Sequence, residues 1–190
     1  MDLKQMLTSR YGDLTRAGVA ECVATGILVL FGCGTCTAKL SITLPGGLQV
    51  LSPEPALTLM GVALIFGLVI MALASSFGHV SGCHINPAVT LGVLIDGQID
   101  ILKAVVYWIA QFLGAVLGAS ILYFMKTESN RDLCQTKITD TLINGPGAAI
   151  VLEAFITFLL VFVVCNVCES NPTFAPLAIG LTVTVGHLLA

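Results

Sequence analysis

The chain has 190 residues, of which 56% are hydrophobic and only 10% charged, with a net charge of −3; its mean hydropathy is +0.98. A soluble domain carries about 25% charged residues, so these few charges cannot cover the surface of a water-soluble fold, and the composition indicates a membrane protein. A net negative chain without a basic face also excludes a nucleic-acid binder.

Residues 1–16 are polar, with no apolar run leading to a small-residue cleavage site, so no signal peptide precedes the first apolar segment. A membrane helix needs about 20 mostly apolar residues. Ala17–Ala38, Leu57–Phe77, Ala104–Met125 and Ala148–Cys168 meet that requirement, and a fifth run from Ala175 to Ala190 is still apolar where the sequence stops. The expectation from this ending is an incomplete chain.

Polar connectors separate the runs. One, over 39–56, holds Lys39, Glu54, three prolines and two adjacent glycines; another, over 126–147, holds Lys126, Glu128, Arg131, Asp132, Lys137 and Asp140; a third turns around Asn171-Pro172. With the N-terminus inside, Lys4, Arg10, Arg16 and Lys103 stand on one side and Lys39, Lys126, Arg131 and Lys137 on the other, four against four. Only the first span favours the N-inside orientation, with three basic residues before it and one after.

One apolar segment is too short to cross. Asn86 to Ile95 is ten residues, about 15 Å of helix and half a bilayer. Asn86 suits an N-cap and Pro87 the first helical position, and Asp96-Gly97-Gln98-Ile99-Asp100 stops the run before the next span. This predicts a half-helix starting near the midplane, preceded by irregular backbone at Gly82-Cys83-His84. Irregular backbone at membrane depth is tolerated only where it is buried in protein or lines a water-filled cavity. The alternative is an ordinary turn followed by a surface amphipathic helix.

Ser81-Gly82-Cys83-His84-Ile85-Asn86-Pro87-Ala88-Val89-Thr90-Leu91 resembles the first asparagine-proline-alanine box of the major intrinsic protein family, the aquaporins. Ala20-Glu21, Ala110 to Ala115, Ala175 to Leu181 and Gly186 to Ala190 resemble the family in order and spacing, so the likeness covers nearly the whole chain. It implies an all-α membrane protein, a right-handed bundle of inverted repeats, here five spans plus one re-entrant half-helix. In the family, six spans and two half-helices meet Asn to Asn, and four subunits assemble as a homotetramer with one pore each. This sequence lacks the second box, the arginine that follows it and the sixth span.

Two echoes mark the internal repeat. Glu21 and Thr25 in span one recur as Glu153 and Thr157 in span four, and Gly67-Leu68 recurs 113 positions later as Gly180-Leu181. The same offset would place the second asparagine at about residue 199. The expectation is a single incomplete domain over 1–190, with a first repeat at about 10–125 and a partial second at about 147–190.

The resemblance assigns roles. Asn86, Pro87 and Ala88 form the pore box, and Gly82, Cys83 and His84 offer backbone carbonyls as a ladder of acceptors. Phe66 and His187 match two positions of the family's selectivity constriction, and histidine at the place of His187 marks water-selective members. Glu21 and Glu153, two carboxylates within apolar runs, are expected to face the bundle interior and to hold the half-helix loops. Cys83 puts a thiol beside the pore. The implied function is a passive water channel in a lipid bilayer, by family default the plasma membrane, needing no cofactor or metal. The alternatives are a channel for small neutral solutes (glycerol, urea or peroxide) and a truncated, non-conducting subunit that modulates full-length partners. No nucleophile–base set points to an enzyme.

Other residues receive plainer readings. Gly114-x-x-x-Gly118 allows close helix approach, and His79 and Gln111 are structural. Of the seven cysteines, Cys33-x-x-Cys36 and Cys165-x-x-Cys168 have zinc-like spacing. The topology separates the two pairs, so they are read as reduced core thiols.

Overall fold

The computed structural model describes residues 3–36, 41–43, 49–51, 55–126, 133–135 and 145–189. Ala38, Lys39, Glu54, Glu128, Arg131, Asp132, Lys137, Asp140 and Ala190, named above, lie outside them. Six helices and one hairpin follow in order: α1 (Leu3–Cys36), β1 (Ser41–Thr43), β2 (Gln49–Leu51), α2 (Pro55–Ser81), α3 (Pro87–Ile95), α4 (Ile101–Met125), α5 (Gly145–Ser170) and α6 (Ala175–Leu189). Among the described residues α1, α2, α4 and α5 are long and apolar enough to cross a membrane; the fifth apolar run forms the shorter α6, of 15 residues.

The helix ends follow local chemistry. Asp100 caps α4 by accepting the Lys103 N–H at 2.8 Å, and Asn86 caps α3 by accepting the Ala88 N–H at 2.8 Å, with Pro87 next. Gly97, at φ +78°, takes the left-handed turn that ends α3. Within the spans, Ser75, Ser120, Asn166, Thr182 and Thr184 each donate to the carbonyl four residues back. Polar side chains in lipid need such partners.

Two differences from the sequence reading stand out. α1 begins at Leu3 rather than at Ala17 and runs 34 residues without a break, about 51 Å. The connector after it, rich in proline and glycine, contains an antiparallel hairpin pairing Ser41 with Leu51, Ile42 with Val50 and Thr43 with Gln49.

α1 packs along α4, and α2 along α6. Both contacts use glycines as close-approach points: a Cβ on Gly114 or Gly118 would collide with the carbonyls of Cys22 and Gly26. One core cluster joins α1, α2 and the loop before α3 through Ala24, Leu73, Cys83 and Ile85. A second seats α3 through Val89 and Val93 against Val164 of α5. The outer faces carry large apolar side chains, among them Phe112, Ile150, Phe155 and Phe158, all more than half exposed. In water such faces would be unstable, whereas in hydrocarbon they are at home.

Candidate functional site

α2 continues to Ser81, so Gly78, His79 and Val80 are helical, and only residues 82–85 are irregular. Three of these four residues adopt positive φ: Gly82 at 92°, Cys83 at 50° and Ile85 at 43°. For cysteine and isoleucine this is unfavourable backbone, of the kind that persists only when its surroundings over-determine it.

Glu21 supplies that determination. Its carboxylate is wholly buried and accepts four hydrogen bonds: Oε1 from the Ser81 hydroxyl at 2.6 Å and the His84 N–H at 2.9 Å, Oε2 from the Ile85 N–H at 2.7 Å and the Gln111 amide at 2.9 Å. The Cys83 N–H donates to the Ser81 hydroxyl oxygen at 2.9 Å and the Gly82 N–H to the Gly78 carbonyl at 3.0 Å. All four loop amides therefore donate into the protein. Among the described residues, no donor reaches the carbonyls of Gly82, Cys83, His84 or Ile85.

α4 holds the same loop from the other side. The Tyr107 hydroxyl donates to the Ser81 carbonyl, and the Trp108 indole to the Pro87 carbonyl at 3.1 Å. Thr90 ties the half-helix in. Its hydroxyl hydrogen goes to the Asn86 carbonyl at 3.1 Å, so its oxygen can only accept from Gln111 Nε2 at 2.9 Å and from His84 Nδ1 at 3.2 Å. That assigns the His84 proton to Nδ1. Among the described residues, the Thr25 hydroxyl and Gln111 Oε1 are buried without a partner.

Asn86 stands at the tip of this scaffold. Its Oδ1 is engaged by the helix cap, while its Nδ2 makes no hydrogen bond among the described residues. Asn86, Gly82, Cys83, His84 and Ile85 line one narrow cavity, whose other walls are apolar residues such as Ile70, Leu160 and Val183. It offers about 50 Å³ to the centres of water molecules, where a single water needs roughly 10–15 Å³.

Phe66 of α2 and His187 of α6, 121 positions apart in sequence, stack with ring centroids 4.4 Å apart and an interplanar angle of 24°. The Phe66 ring rests on bare backbone of α1, where a Cβ on Gly32 would come within 2.5 Å of it. His187 Nδ1 lies 3.0 Å from the Val183 carbonyl, which can only accept, so Nδ1 carries the hydrogen.

Three sequence readings need correction or completion. Cys36 is not a reduced thiol: it forms a disulfide with Cys134, 98 positions away, with a Cα–Cα distance of 5.5 Å. The reason is spatial, since the connector after α4 returns to the end of α1. Cys22, Cys33, Cys83, Cys165 and Cys168 carry thiols. Glu153 lies apart from the Glu21 cluster: it is exposed and makes no hydrogen bond among the described residues. Gln111, read as merely structural, sits at the centre of the clamp, as do Ser81, Thr90 and Tyr107. For Gln111 the signal was present, a polar side chain within an apolar span, the same argument that singled out Glu21.

A bundle of apolar helices with a re-entrant half-helix whose tip lines a narrow cavity defines a polytopic membrane protein of the re-entrant-helix class. The family model described as "Major intrinsic protein" matches residues 8–190, and the chain belongs to that family, whose members are channels rather than enzymes. It is similar to mouse Aquaporin-5, 38% identical over 179 residues, and to mouse Aquaporin-4, 40% identical over 180 residues; each match covers 92% of this chain, but 62% and 52% of those relatives. The chain thus spans about three-fifths or less of their length. Among solved structures it resembles the aquaglyceroporin from Plasmodium falciparum, with a TM-score of 0.72 and 24% identity, covering 92% of this chain and 70% of that one; that likeness concerns the fold. The chain is a membrane protein.

Proposed function

We propose that this chain forms the greater part of a passive channel that carries water in single file past Asn86. Its two repeats, about 10–125 and 147–190, are read as one domain. The observation that carries the reading is the one-sided hydrogen bonding of residues 82–85. Their amides are held by the protein, chiefly by Glu21, while their carbonyls meet no donor among the described residues, and the same four residues line the cavity. A water entering the cavity exchanges bulk partners for these acceptors, which limits the desolvation penalty of leaving polar groups unpaired. At the narrowest depth the Asn86 amide donates to the water oxygen. Pro87 and Ala88 continue the half-helix, whose N-terminal end carries about half a positive charge. That charge repels cations and orients the passing water.

Selectivity is assigned to Phe66 and His187. The stacked pair narrows the passage, and the second nitrogen of His187 is left to accept from water. This favours water over glycerol; peroxide, only slightly larger than water, would still pass. Assembly as a homotetramer and residence in the plasma membrane complete the reading.

The test is osmotic. Proteoliposomes containing the protein should shrink faster in hyperosmotic sucrose than protein-free vesicles, and Asn86→Leu should abolish the gain. Equal rates with and without protein would reject the channel.

A further inference from the structure

The Cys36–Cys134 disulfide belongs to no part of the conduction machinery. Cys36 is the last residue of α1, one turn beyond Gly32, on which the Phe66 ring rests. Cys134 lies between α4, which ends at Met125, and α5, which starts at Gly145. It is therefore near the middle of the segment that joins the two repeats. α1 and α4 end side by side here, with Gly34 close to Leu122. The bond pins the midpoint of the connector to the end of α1, on the face where Phe66 meets His187.

We propose that Cys36–Cys134 is a reversible covalent staple, placed on the non-cytosolic face and opened by external thiols, that ties the end of α1 to Cys134 and so backs the Phe66 ring. The side follows from chemistry, because disulfides persist in oxidising compartments and are reduced in the cytosol. The charge bias about span one independently puts the opposite face, with Arg10 and Asp100, in the cytosol. The step balances. A small dithiol attacks one sulfur as its thiolate, forms a mixed disulfide and closes to its own cyclic disulfide; its two electrons and two protons end on Cys36 and Cys134 as thiols. Re-formation requires a disulfide oxidant of the same compartment. Once the bond is open, the end of α1 has lost its tie, the support of Phe66 slackens and the passage admits larger solutes.

The mass arm does not depend on the channel reading. Trypsin cuts after Arg131 and Lys137, releasing Asp132–Lys137. In non-reduced protein from cells, that peptide should be found joined to the one containing Cys36, and a membrane-impermeant phosphine applied outside intact cells should separate the two. Absence of the joined peptide, or its survival of the external phosphine, overturns the staple. The flux arm rests on the proposed function. Reduction should raise the ratio of glycerol to water permeability by about twofold or more, and Cys134→Ser should show that raised ratio with or without reductant. An unchanged ratio, or no flux in either state, overturns the control of passage; the second result also rejects the channel, whereas a missing joined peptide beside normal water flux counts against the staple alone.

Discussion

Gly67 of α2 and Gly180 of α6 pack directly on each other. A Cβ on Gly67 would lie 2.5 Å from the Gly180 carbonyl oxygen, and one on Gly180 would lie 2.6 Å from the Gly67 carbonyl oxygen. The contact is reciprocal, and the two residues are the ones that the internal echo pairs at an offset of 113. On the proposed reading of two repeats, this contact would lie at the axis relating them. The backbones of α2 and α6 can approach this closely only because neither position carries a side chain.

Gly67→Ala or Gly180→Ala should therefore force α2 from α6 at a cost of about 1–3 kcal/mol. Thermal unfolding of the detergent-solubilised protein should show a lowered Tm for both. Gly61→Ala is the control, since nothing lies within 4 Å of its added Cβ; it should match or exceed the parent. Equal Tm values for Gly67→Ala and the parent would remove the argument.

Glu21→Gln keeps the size of the side chain but replaces one of two accepting oxygens with a donor. At least one of the four donors then loses its partner, at about 1–3 kcal/mol for a buried unpaired group. The expected outcome is a lower Tm together with reduced water flux per protein molecule. Glu153→Gln, at a position exposed and without a hydrogen bond among the described residues, should leave the Tm unchanged.

His187→Gly removes one ring of the stacked pair. Glycerol uptake by vesicles should rise relative to the parent while water flux is kept. If the glycerol rate stays at the background of empty vesicles, His187 does not set the size limit.

A mercurial thiol reagent should block conduction by modifying Cys83, which lines the cavity. Cys83→Ala should conduct and resist the block. A Cys83→Ala protein as sensitive as the parent would move the effect to another thiol.

Asp100 offers a pH test at the membrane surface. The Lys103 backbone N–H, and then Arg10, hold its carboxyl below the usual carboxylate range. A depressed folded value means that the stabilisation of the α4 start is complete above the unfolded value, about 3.9, and is lost as pH falls through the lower folded value. Unfolding at pH 3 against pH 7 should show a smaller loss in Asp100→Asn than in the parent. The Arg10–Asp100 pair itself is exposed on both sides, so raising the salt concentration should weaken its share.

The half-helix was legible because its signals are local: Asn86 caps, Pro87 starts, and ten residues fall short of a span. Glu21 was legible because a carboxylate in an apolar run needs an interior partner. Its donors were not, since the Ser81 hydroxyl, the His84 and Ile85 amides and Gln111 meet it only once α1, α2 and α4 assemble. The disulfide was hidden for the same reason. Cys134 stands in a polar connector 98 positions from Cys36, while the nearer Cys33 drew attention to a spacing that has no bearing on the bond. Glu153 was legible by its echo of Glu21, and among the described residues it is exposed and without a hydrogen bond.

α1 is one rigid rod from Leu3 to Cys36. It is moored at one end to Asp100 through Arg10 and bolted at the other to the connector, with Glu21 between them. One unbroken helix therefore carries Arg10, Glu21 and Cys36, so a displacement of its amino-terminal turns bears on the carboxylate that keeps the loop in shape. On the proposed channel reading, a bulky domain fused there, about 27 Å along the axis from Glu21, should lower water flux per protein molecule.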